Sequence, residues 1–292
     1  MSNNGRNSIM ITNKTAWVLY YSNSGNTRNL AERTTTTLVE KGWDVVTRSL
    51  IDIEPEKMKK TDLVVLGTPI HFWTIPYMAK KGIAKLPDLS DTFGFVFATF
   101  GNVFSSGVTH ELAMELEKRG STVLGGASLV SPHNFMSKTG KRLGDVYPEF
   151  GKDQPDATTL EEYTNAIITI AEKAENNDRT SFDINRLKSP NPLITFIDQF
   201  LPVEIEMKAL APVNFDVSRC QDCGLCVKKC DTNSISKGFD KDKTINQKTC
   251  VRCYTCARTC PSGALTVNWT KNEIFLRLAK KIVKSPGSRI IY

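Results

Sequence analysis

The chain has 292 residues, of which 40% are hydrophobic and 24% charged, and its formal net charge is +7. This length and apolar content suffice for two domains with separate cores. No apolar run reaches the roughly 18 residues of a membrane span, and the amino terminus lacks the apolar core and cleavage site of a secretory signal. We therefore expect a cytoplasmic protein without a membrane span, and we expect no nucleic-acid partner.

Residues 1–176 repeat one pattern, in which an apolar run is followed by a polar turn and then a helical stretch. Such alternation predicts an α/β fold, with a parallel sheet covered by helices on both faces. The predicted strands are 15–20, 43–50, 62–70, 93–101 and 121–130, and the predicted helices are 26–41, 74–84, 106–119 and 159–176.

Ligands of such sheets bind beyond the carboxyl ends of the strands, where the strand order reverses. Three segments that follow predicted strands are therefore expected to converge, namely 22–27, 68–73 and 99–104. The first reads "SNSGNT" and lies between a strand and a helix, so a helix dipole, free N–H groups and short hydroxyl donors are available to an anion. A capped helix start with an ordinary loop is the alternative interpretation.

The strand, the "SNSGNT" loop and the following helix resemble the phosphate loop of flavodoxins. This resemblance implies a doubly wound five-stranded parallel sheet of order 2-1-3-4-5 that binds FMN. It also implies phosphate contacts from the side chains of this loop, with one glycine allowing the backbone to approach. The residues concerned are Ser22, Asn23, Ser24, Gly25, Asn26 and Thr27.

In flavodoxins the loops after the third and fourth strands flank the flavin ring, and an aromatic side chain commonly stacks on it. The corresponding loops here supply several flat side chains, which suit a poorly hydrated flavin. Several aromatic residues are candidates for stacking on the ring. As alternatives, His71 lies in the loop without contacting the flavin, and Trp73 is a core residue. The implied ring contacts are Pro69, Ile70, His71, Phe72, Trp73, Thr99, Phe100, Gly101 and Asn102.

All eight cysteines lie between positions 220 and 260, in two segments that read "CQDCGLCVKKC" and "CVRCYTCARTCP". Both have the spacing C-x2-C-x2-C-x3-C, which resembles that of bacterial ferredoxins with two [4Fe–4S] clusters. In that family the fourth cysteine of each motif ligates the other cluster. The resemblance therefore implies Cys220, Cys223, Cys226 and Cys260 for cluster I, and Cys250, Cys253, Cys256 and Cys230 for cluster II.

Two alternatives to clusters are zinc and disulfides. Structural zinc sites usually combine two short C-x2–4-C elements per metal, which does not require a third nearby cysteine. Disulfides are unusual in the cytoplasm. The sequence departs from the ferredoxin pattern at Asp231, where ferredoxins usually have proline after the cysteine.

The distribution of charged residues, like that of the cysteines, divides the chain into two parts. Residues 1–212 carry 23 basic and 25 acidic residues, whereas residues 213–292 carry 15 and 6. We accordingly predict a flavodoxin-like domain at 1–176, an interdomain linker at 177–212 and a small α+β ferredoxin-like domain at 213–292. The linker is expected to pack across the domain boundary through an apolar cluster, or alternatively to lie on a membrane surface. The cluster comprises Leu193, Ile194, Phe196, Ile197, Phe200 and Leu201.

The tail at 272–292 has the pattern of an amphipathic helix that covers the ferredoxin core. Its predicted apolar face consists of Ile274, Phe275, Leu278 and Ile282, and its predicted basic face consists of Arg277, Lys280, Lys281 and Lys284.

As a whole the chain resembles a flavodoxin–ferredoxin fusion protein of anaerobic metabolism. Clusters carry single electrons and a flavin carries one or two, so the expected function is electron transfer between FMN, two [4Fe–4S] clusters and a protein partner. A ferredoxin-linked FMN reductase acting on a small molecule is the alternative, and a redox sensor or scaffold is a weaker one. Because basic residues lie inside the cysteine motifs, we expect the partner to be acidic. The alternative is that these charges only hold the two domains together or solvate the surface. These basic residues are Lys228, Lys229, Arg252 and Arg258.

Overall fold

A computed structural model gives the architecture and describes residues 13–71, 73–103, 107–137, 139–189, 210–236, 245–282 and 285–292. The first part of the chain alternates between strands and helices, as the sequence predicts. The strands are β1 (Thr15–Tyr20), β2 (Asp44–Ser49), β3 (Leu63–Pro69), β4 (Phe93–Phe100) and β5 (Thr122–Val130). The helices are α1 (Asn26–Glu40), α2 (Tyr77–Ile83), α3 (Val108–Glu117), the short α4 (Leu143–Val146) and α5 (Ala157–Glu175).

These five strands form a parallel sheet in the order β2-β1-β3-β4-β5, which confirms the predicted doubly wound topology. Strands β3 and β4 are buried along their whole length. Helices α1 and α5 cover one face, and α2 and α3 cover the other. Burial on both faces explains why these two strands are continuous apolar runs and not alternating ones.

The cysteine-rich part of the chain is built on a small two-stranded antiparallel sheet. Strand β6 (Val213–Phe215) pairs with β7 (Leu265–Val267), and two short helices, α6 (Leu225–Lys228) and α7 (Thr255–Thr259), follow the cysteine loops. A separate core holds these elements together, with Leu210, Val213, Ile235, Tyr254 and Leu265 buried in it.

The end of the chain differs from the single helix predicted over 272–292. Helix α8 (Trp269–Ile282) begins earlier and ends earlier, and strand β8 (Arg289–Ile291) then pairs antiparallel with β5. Among the described residues the main sheet therefore has six strands, and β8, one of its two edge strands, comes from the carboxyl-terminal part of the chain. Gly125 permits this pairing, because a Cβ atom there would lie 2.6 Å from the carbonyl oxygen of Ile291.

The prediction of which residues form the apolar face of the tail helix is wrong in part. Ile274 and Leu278 are each 55% exposed, whereas Leu276 is buried against residues of the first domain. Arg277, expected on a solvated basic face, stacks over the ring of Tyr147 and pairs with Glu149 at 2.8 Å. The helix thus packs between the two domains, which local periodicity does not reveal.

Only the two ends of the predicted linker are described. Its first part packs on the α3 side of the sheet through Phe182, Ile184 and Leu187, and Leu210 and Ala211 are buried at its far end. The apolar cluster predicted at 193–201 lies outside the described residues. Among the helices that the structure describes, none combines the length and the apolar character needed to cross a membrane.

Candidate functional site

The loop between β1 and α1 turns sharply at Gly25, which has a φ of +98° and begins the helix. This conformation strongly favours glycine. The side-chain oxygen of Ser22 accepts a hydrogen bond from the Gly25 N–H at 3.1 Å and so holds the turn. Asn23, Ser24 and Asn26 line a cleft beyond the sheet.

Thr27 lies deeper than the sequence suggests. It is 1% exposed, and its hydroxyl oxygen is 2.8 Å from that of Thr99 at the end of β4. The pair connects the start of α1 to the neighbouring strand. Within the predicted phosphate loop, Ser22, Gly25 and Thr27 therefore shape the backbone, while the other three residues face the cleft.

The loop after β3 brings Pro69, Ile70, His71 and Trp73 to the same cleft. His71 and Thr74 exchange backbone hydrogen bonds of 3.2 and 3.1 Å, which close a tight turn with Trp73 at a φ of +65°. The predicted contact Phe72 lies outside the described residues. The described side chains of this turn, His71 and Trp73, therefore line the cleft.

The loop after β4 contributes Thr99, Phe100 and Gly101 to the cleft lining. Asn102, also predicted as a ring contact, does not line the cleft. Its carbonyl oxygen instead accepts a hydrogen bond of 2.7 Å from Lys280 of α8. The residue therefore joins the loop to the carboxyl-terminal helix.

The sequence analysis missed a fourth loop, which follows β5. Pro132, His133, Asn134 and Phe135 line the cleft, and the carbonyl oxygen of Pro132 accepts a 2.9 Å hydrogen bond from Asn26. The segment "SPHNF" directly follows a predicted strand. Polar and aromatic residues at that position were a usable signal, because carboxyl ends of parallel strands share one sheet edge.

The second domain also contributes to the cleft, which no sequence pattern indicated. The empty volume of the cleft is about 990 Å³, a value that includes the open solvent at its mouth. The cleft is therefore formed at the junction of the two domains. The second domain supplies Arg252, Cys253, Phe275 and Leu276, while Val103 of the first domain and Leu210 at the end of the linker complete the lining.

Two histidines border the cleft and are held neutral. Burial, and to a smaller degree the positive charge of Arg258, lowers the pKa of both His71 and His133 well below the usual value. The His133 ring packs edge-to-face on Phe135 at 4.8 Å between ring centres. Neutral imidazoles of this kind can offer a hydrogen bond without adding a charge.

Unpaired polar atoms show what ligand suits the cleft. The Asn23 side chain donates to Asp231 at 3.0 Å, so its oxygen is the free end, and that oxygen is buried without a partner in the described residues. The Asn134 side-chain oxygen is likewise unpaired. A flavin nucleotide has N–H and hydroxyl donors for these acceptors, a flat ring for the aromatic loops and an anion for the start of α1. The residues present therefore fit FMN.

The two cysteine motifs repeat one backbone geometry. Asp222 and Gly224 in the first motif have φ values of +49° and +68°, and Arg252 and Tyr254 in the second have +51° and +57°. These residues occupy equivalent positions between the first three cysteines of each motif. Left-handed backbone of this kind reverses the chain locally and brings consecutive thiols around a common centre.

The cysteines surround two separate cavities. One is lined by Cys220, Cys223, Cys226 and Cys260, and the other by Cys230, Cys250, Cys253 and Cys256. In each cavity the fourth cysteine comes from the other motif. Backbone N–H groups also donate to two of the thiols, from Asp222 to Cys220 at 3.4 Å and from Ser234 to Cys230 at 3.2 Å.

The chemistry of these cavities suits a polynuclear centre. All eight thiols are free, and in the described residues no three His, Cys, Asp or Glu side chains are grouped for a single metal ion. A [4Fe–4S] cube binds each thiolate at a different iron and so keeps them apart. Burial, together with Cys253 and Cys250 nearby, raises the pKa of Cys256 to about 12. Thiolates at such positions require the positive charge of a metal centre.

Direct hydrogen bonds join the two domains beside the cleft. Asp231 accepts hydrogen bonds from Tyr21 at 2.9 Å and from Asn23 at 3.0 Å. From the second cysteine motif, Arg258 donates to the carbonyl oxygen of Asn134 at 3.4 Å. The end of the first motif is thus docked on the phosphate loop, and the second motif is docked on the loop after β5.

Comparisons with known proteins agree with this geometry. A family model described as a flavodoxin domain matches residues 17–139, and one described as a 4Fe-4S dicluster domain matches residues 206–265. A search of curated proteins gave no match. The flavodoxin domain implies FMN as the cofactor, and the dicluster domain implies iron–sulfur clusters.

Several solved structures are similar to the first domain. A flavodoxin from the domain Archaea is 21% identical, with a TM-score of 0.41, and the match covers 55% of this chain and 99% of that one. Flavodoxin 2 from Bacillus cereus is 20% identical, with a TM-score of 0.43 and the same coverage. Rubredoxin oxygen:oxidoreductase from the anaerobe Desulfovibrio gigas is 16% identical, with a TM-score of 0.43, over 56% of this chain and 37% of that one. The chain thus joins a flavodoxin domain to a 4Fe-4S dicluster domain, as in a flavodoxin–ferredoxin fusion protein.

Proposed function

We propose that the protein passes low-potential electrons between FMN in the junction cleft and two [4Fe–4S] clusters, and exchanges them with a protein partner. An electron-transfer role follows from the two domains together. The single observation that carries the finer proposal is the position of Cys253. This cysteine lines both the second cysteine cavity and the cleft formed by the flavodoxin loops.

The proposed route runs from cluster I to cluster II to FMN. Cluster II would be bound by Cys230, Cys250, Cys253 and Cys256, so one of its ligands borders the flavin cleft. Cluster I would be bound by the other four cysteines. Of these, Cys223 is exposed, which makes cluster I the accessible end of the route. FMN and cluster II supply the two-electron and one-electron chemistry, and the protein holds them next to each other.

The partner is proposed to be an acidic redox protein that docks on the two lysines between Cys226 of cluster I and Cys230 of cluster II. Lys228 and Lys229 are exposed at the end of the first motif, where they can attract an acidic surface. Arg252 and Arg258 have a different position from these lysines, since Arg252 lines the cleft and Arg258 bonds to Asn134. Only the two lysines of this set are therefore available to a partner.

The surroundings of the cleft favour internal electron transfer over reduction of a small molecule. Arg252 and Cys253 border the cleft on one side, and Phe275 and Leu276 of α8 border it on another. A flavin bound there would have protein from both domains around it. This arrangement favours an adjacent cluster, and not a second small molecule, as the redox partner of the flavin.

The proposal is tested with variants that lack one cluster. The anaerobically purified protein should contain about eight irons and one FMN, and Cys226→Ala and Cys256→Ala should each retain about four irons. Stopped-flow reduction by a reduced ferredoxin should then show slow flavin reduction in both variants. Flavin reduction at the wild-type rate in Cys256→Ala, with cluster II absent, would contradict the route. Stoichiometric zinc in place of iron would contradict the clusters themselves.

A further inference from the structure

Arg252 is a cation of the cluster domain that reaches into the flavin cleft. It lies between Cys250 and Cys253, with a φ of +51°, and its side chain lines the cleft. Its Nε and Nη1 atoms are buried and have no hydrogen-bond partner in the described part of the chain. Leaving charged donors buried and unpaired is costly, so a ligand is the natural source of their acceptors.

Arg258, in the same cysteine motif, does have hydrogen-bond partners, so their absence distinguishes Arg252 from its neighbour. Arg258 donates to the carbonyl oxygen of Cys253 at 3.0 Å, to that of Asn134 at 3.4 Å and to the Thr255 hydroxyl at 3.3 Å. Its guanidinium is therefore used to dock the two domains. Arg252 has no comparable role in docking.

Two ligands could accept hydrogen bonds from Arg252, namely cluster II and a molecule in the cleft. The described residues around the second cysteine cavity include Val251 and Cys253 but not Arg252, whereas the lining of the flavin cleft includes Arg252. No Asp or Glu is among the described residues that line the cleft. The charge of Arg252 also acts on the nearby Cys250 thiol, but its side chain lines the cleft and not the second cysteine cavity. A molecule bound in the cleft can therefore supply the acceptors that its Nε and Nη1 atoms lack.

We propose that Arg252 is a flavin ligand supplied by the cluster domain, and that its guanidinium binds an anionic group of FMN in the cleft. The inference rests on the proposed binding of FMN there. FMN carries a phosphate anion in every redox state, and its ring carries an additional negative charge when reduced. Arginine suits either group, because it offers several donors in a fixed planar fork and stays charged. FMN would then be held by both domains, and not by the flavodoxin loops alone.

The test compares flavin affinities of the anaerobic, cluster-loaded full-length protein. Dissociation constants are measured by equilibrium dialysis for oxidised FMN, reduced FMN and riboflavin, with Arg252→Gln, Arg252→Lys and the wild type. Lys248→Gln is the matched control, since it removes one charge from an exposed site two residues before Cys250. We expect Arg252→Gln to weaken FMN binding about 10- to 100-fold, Arg252→Lys to weaken it less, and Lys248→Gln to leave it unchanged.

The three flavins identify the group that Arg252 contacts. If it is the phosphate, both redox states of FMN weaken equally and riboflavin is unaffected. If it is the reduced ring, reduced FMN weakens more than oxidised FMN, and each tenfold difference lowers the two-electron potential by about 30 mV. Unchanged affinity for all three flavins in Arg252→Gln, with iron content retained, would overturn the inference. A wild-type protein that binds no FMN would instead contradict the proposed function.

Discussion

The hydroxyl of Tyr21, in the flavodoxin domain, donates a 2.9 Å hydrogen bond to the carboxylate of Asp231, which directly follows Cys230. Tyr21 is 2% exposed, and burial together with the negative charge of Asp231 raises the pKa of its hydroxyl, so it stays protonated as a donor. Ferredoxins usually have proline at the position of Asp231. The acidic residue in this chain instead binds the cluster loop to the phosphate loop.

Asp231→Pro restores the residue usual in ferredoxins and should weaken the docking of the two domains without removing a cluster ligand. We expect unchanged iron content but slower electron transfer between cluster II and FMN, because the end of the first motif, which supplies Cys230 to cluster II, is held less firmly against the phosphate loop. A double-mutant cycle of Tyr21→Phe and Asp231→Ala should give a coupling free energy of about 1–3 kcal/mol in denaturant unfolding. Additive effects of the two substitutions would show that the bond does not stabilise the junction.

Ser24→Ala combined with Thr27→Ala should weaken FMN binding by about 1–3 kcal/mol while iron content stays constant. Ser24 faces the cleft, and Thr27 holds the loop through the Thr99 hydroxyl. Fluorescence titration of FMN measures the effect. Thr35→Ala, on the same helix but hydrogen-bonded to Thr47, controls for helix destabilisation and should not alter FMN affinity. Equal affinity in the double variant and the wild type would place the flavin elsewhere.

Gly101→Ala should reduce FMN affinity by overpacking the cleft wall. A Cβ atom at this position would lie 2.2 Å from the His133 ring, so the ring or the loop must shift. Overpacking typically costs about 1–3 kcal/mol. The second substitution His133→Ala removes the overlapping ring, and the double variant should bind FMN more tightly than Gly101→Ala alone. If His133→Ala does not restore FMN affinity, the overlap with the His133 ring is not the cause of the lost affinity.

Crossed ligation predicts a reciprocal result from two cysteine variants. Cys260→Ala should damage the cluster held by Cys220, Cys223 and Cys226, and Cys230→Ala should damage the cluster held by the second motif. The two cavities bring together these sets of thiols. Electron paramagnetic resonance of the reduced variants distinguishes the two losses, and each variant is the control for the other. Loss of the cluster of the same motif in both variants would contradict the assignment.

Electron exchange with an acidic partner should slow markedly as ionic strength rises from about 0.01 M to 0.15 M, where the screening length falls from roughly 30 Å to 8 Å. Lys228→Glu with Lys229→Glu should slow it at low salt and reduce the salt dependence. Lys59→Glu with Lys60→Glu is the matched control, because these exposed lysines precede β3 at the opposite end of the sheet. A stopped-flow rate that neither salt nor the first variant changes would show that these lysines do not dock a partner.

Local sequence was enough to predict the sheet and the two kinds of cofactor site. Buried parallel strands are continuous apolar runs, and their order along the chain fixes which loops share the ligand-binding edge. Three of the four cleft loops of the flavodoxin domain could therefore be predicted, and the fourth, at 131–135, followed a predicted strand without being recognised. The cysteine spacing predicted iron–sulfur clusters through its resemblance to that of two-cluster ferredoxins, because closely spaced thiols constrain the shape of the centre that they can bind.

Only the tertiary structure decided how the two sites face each other. Tyr21 and Asp231 are 210 positions apart in sequence, and β8 pairs with β5 from the other end of the chain. Such contacts depend on shape and charge across the junction. The spacing of apolar residues along a single helix or strand does not predict them. For the same reason the sequence placed Leu278 on the buried face of α8, although packing between the domains exposes it, and treated Arg252 as a surface charge although it lines the cleft.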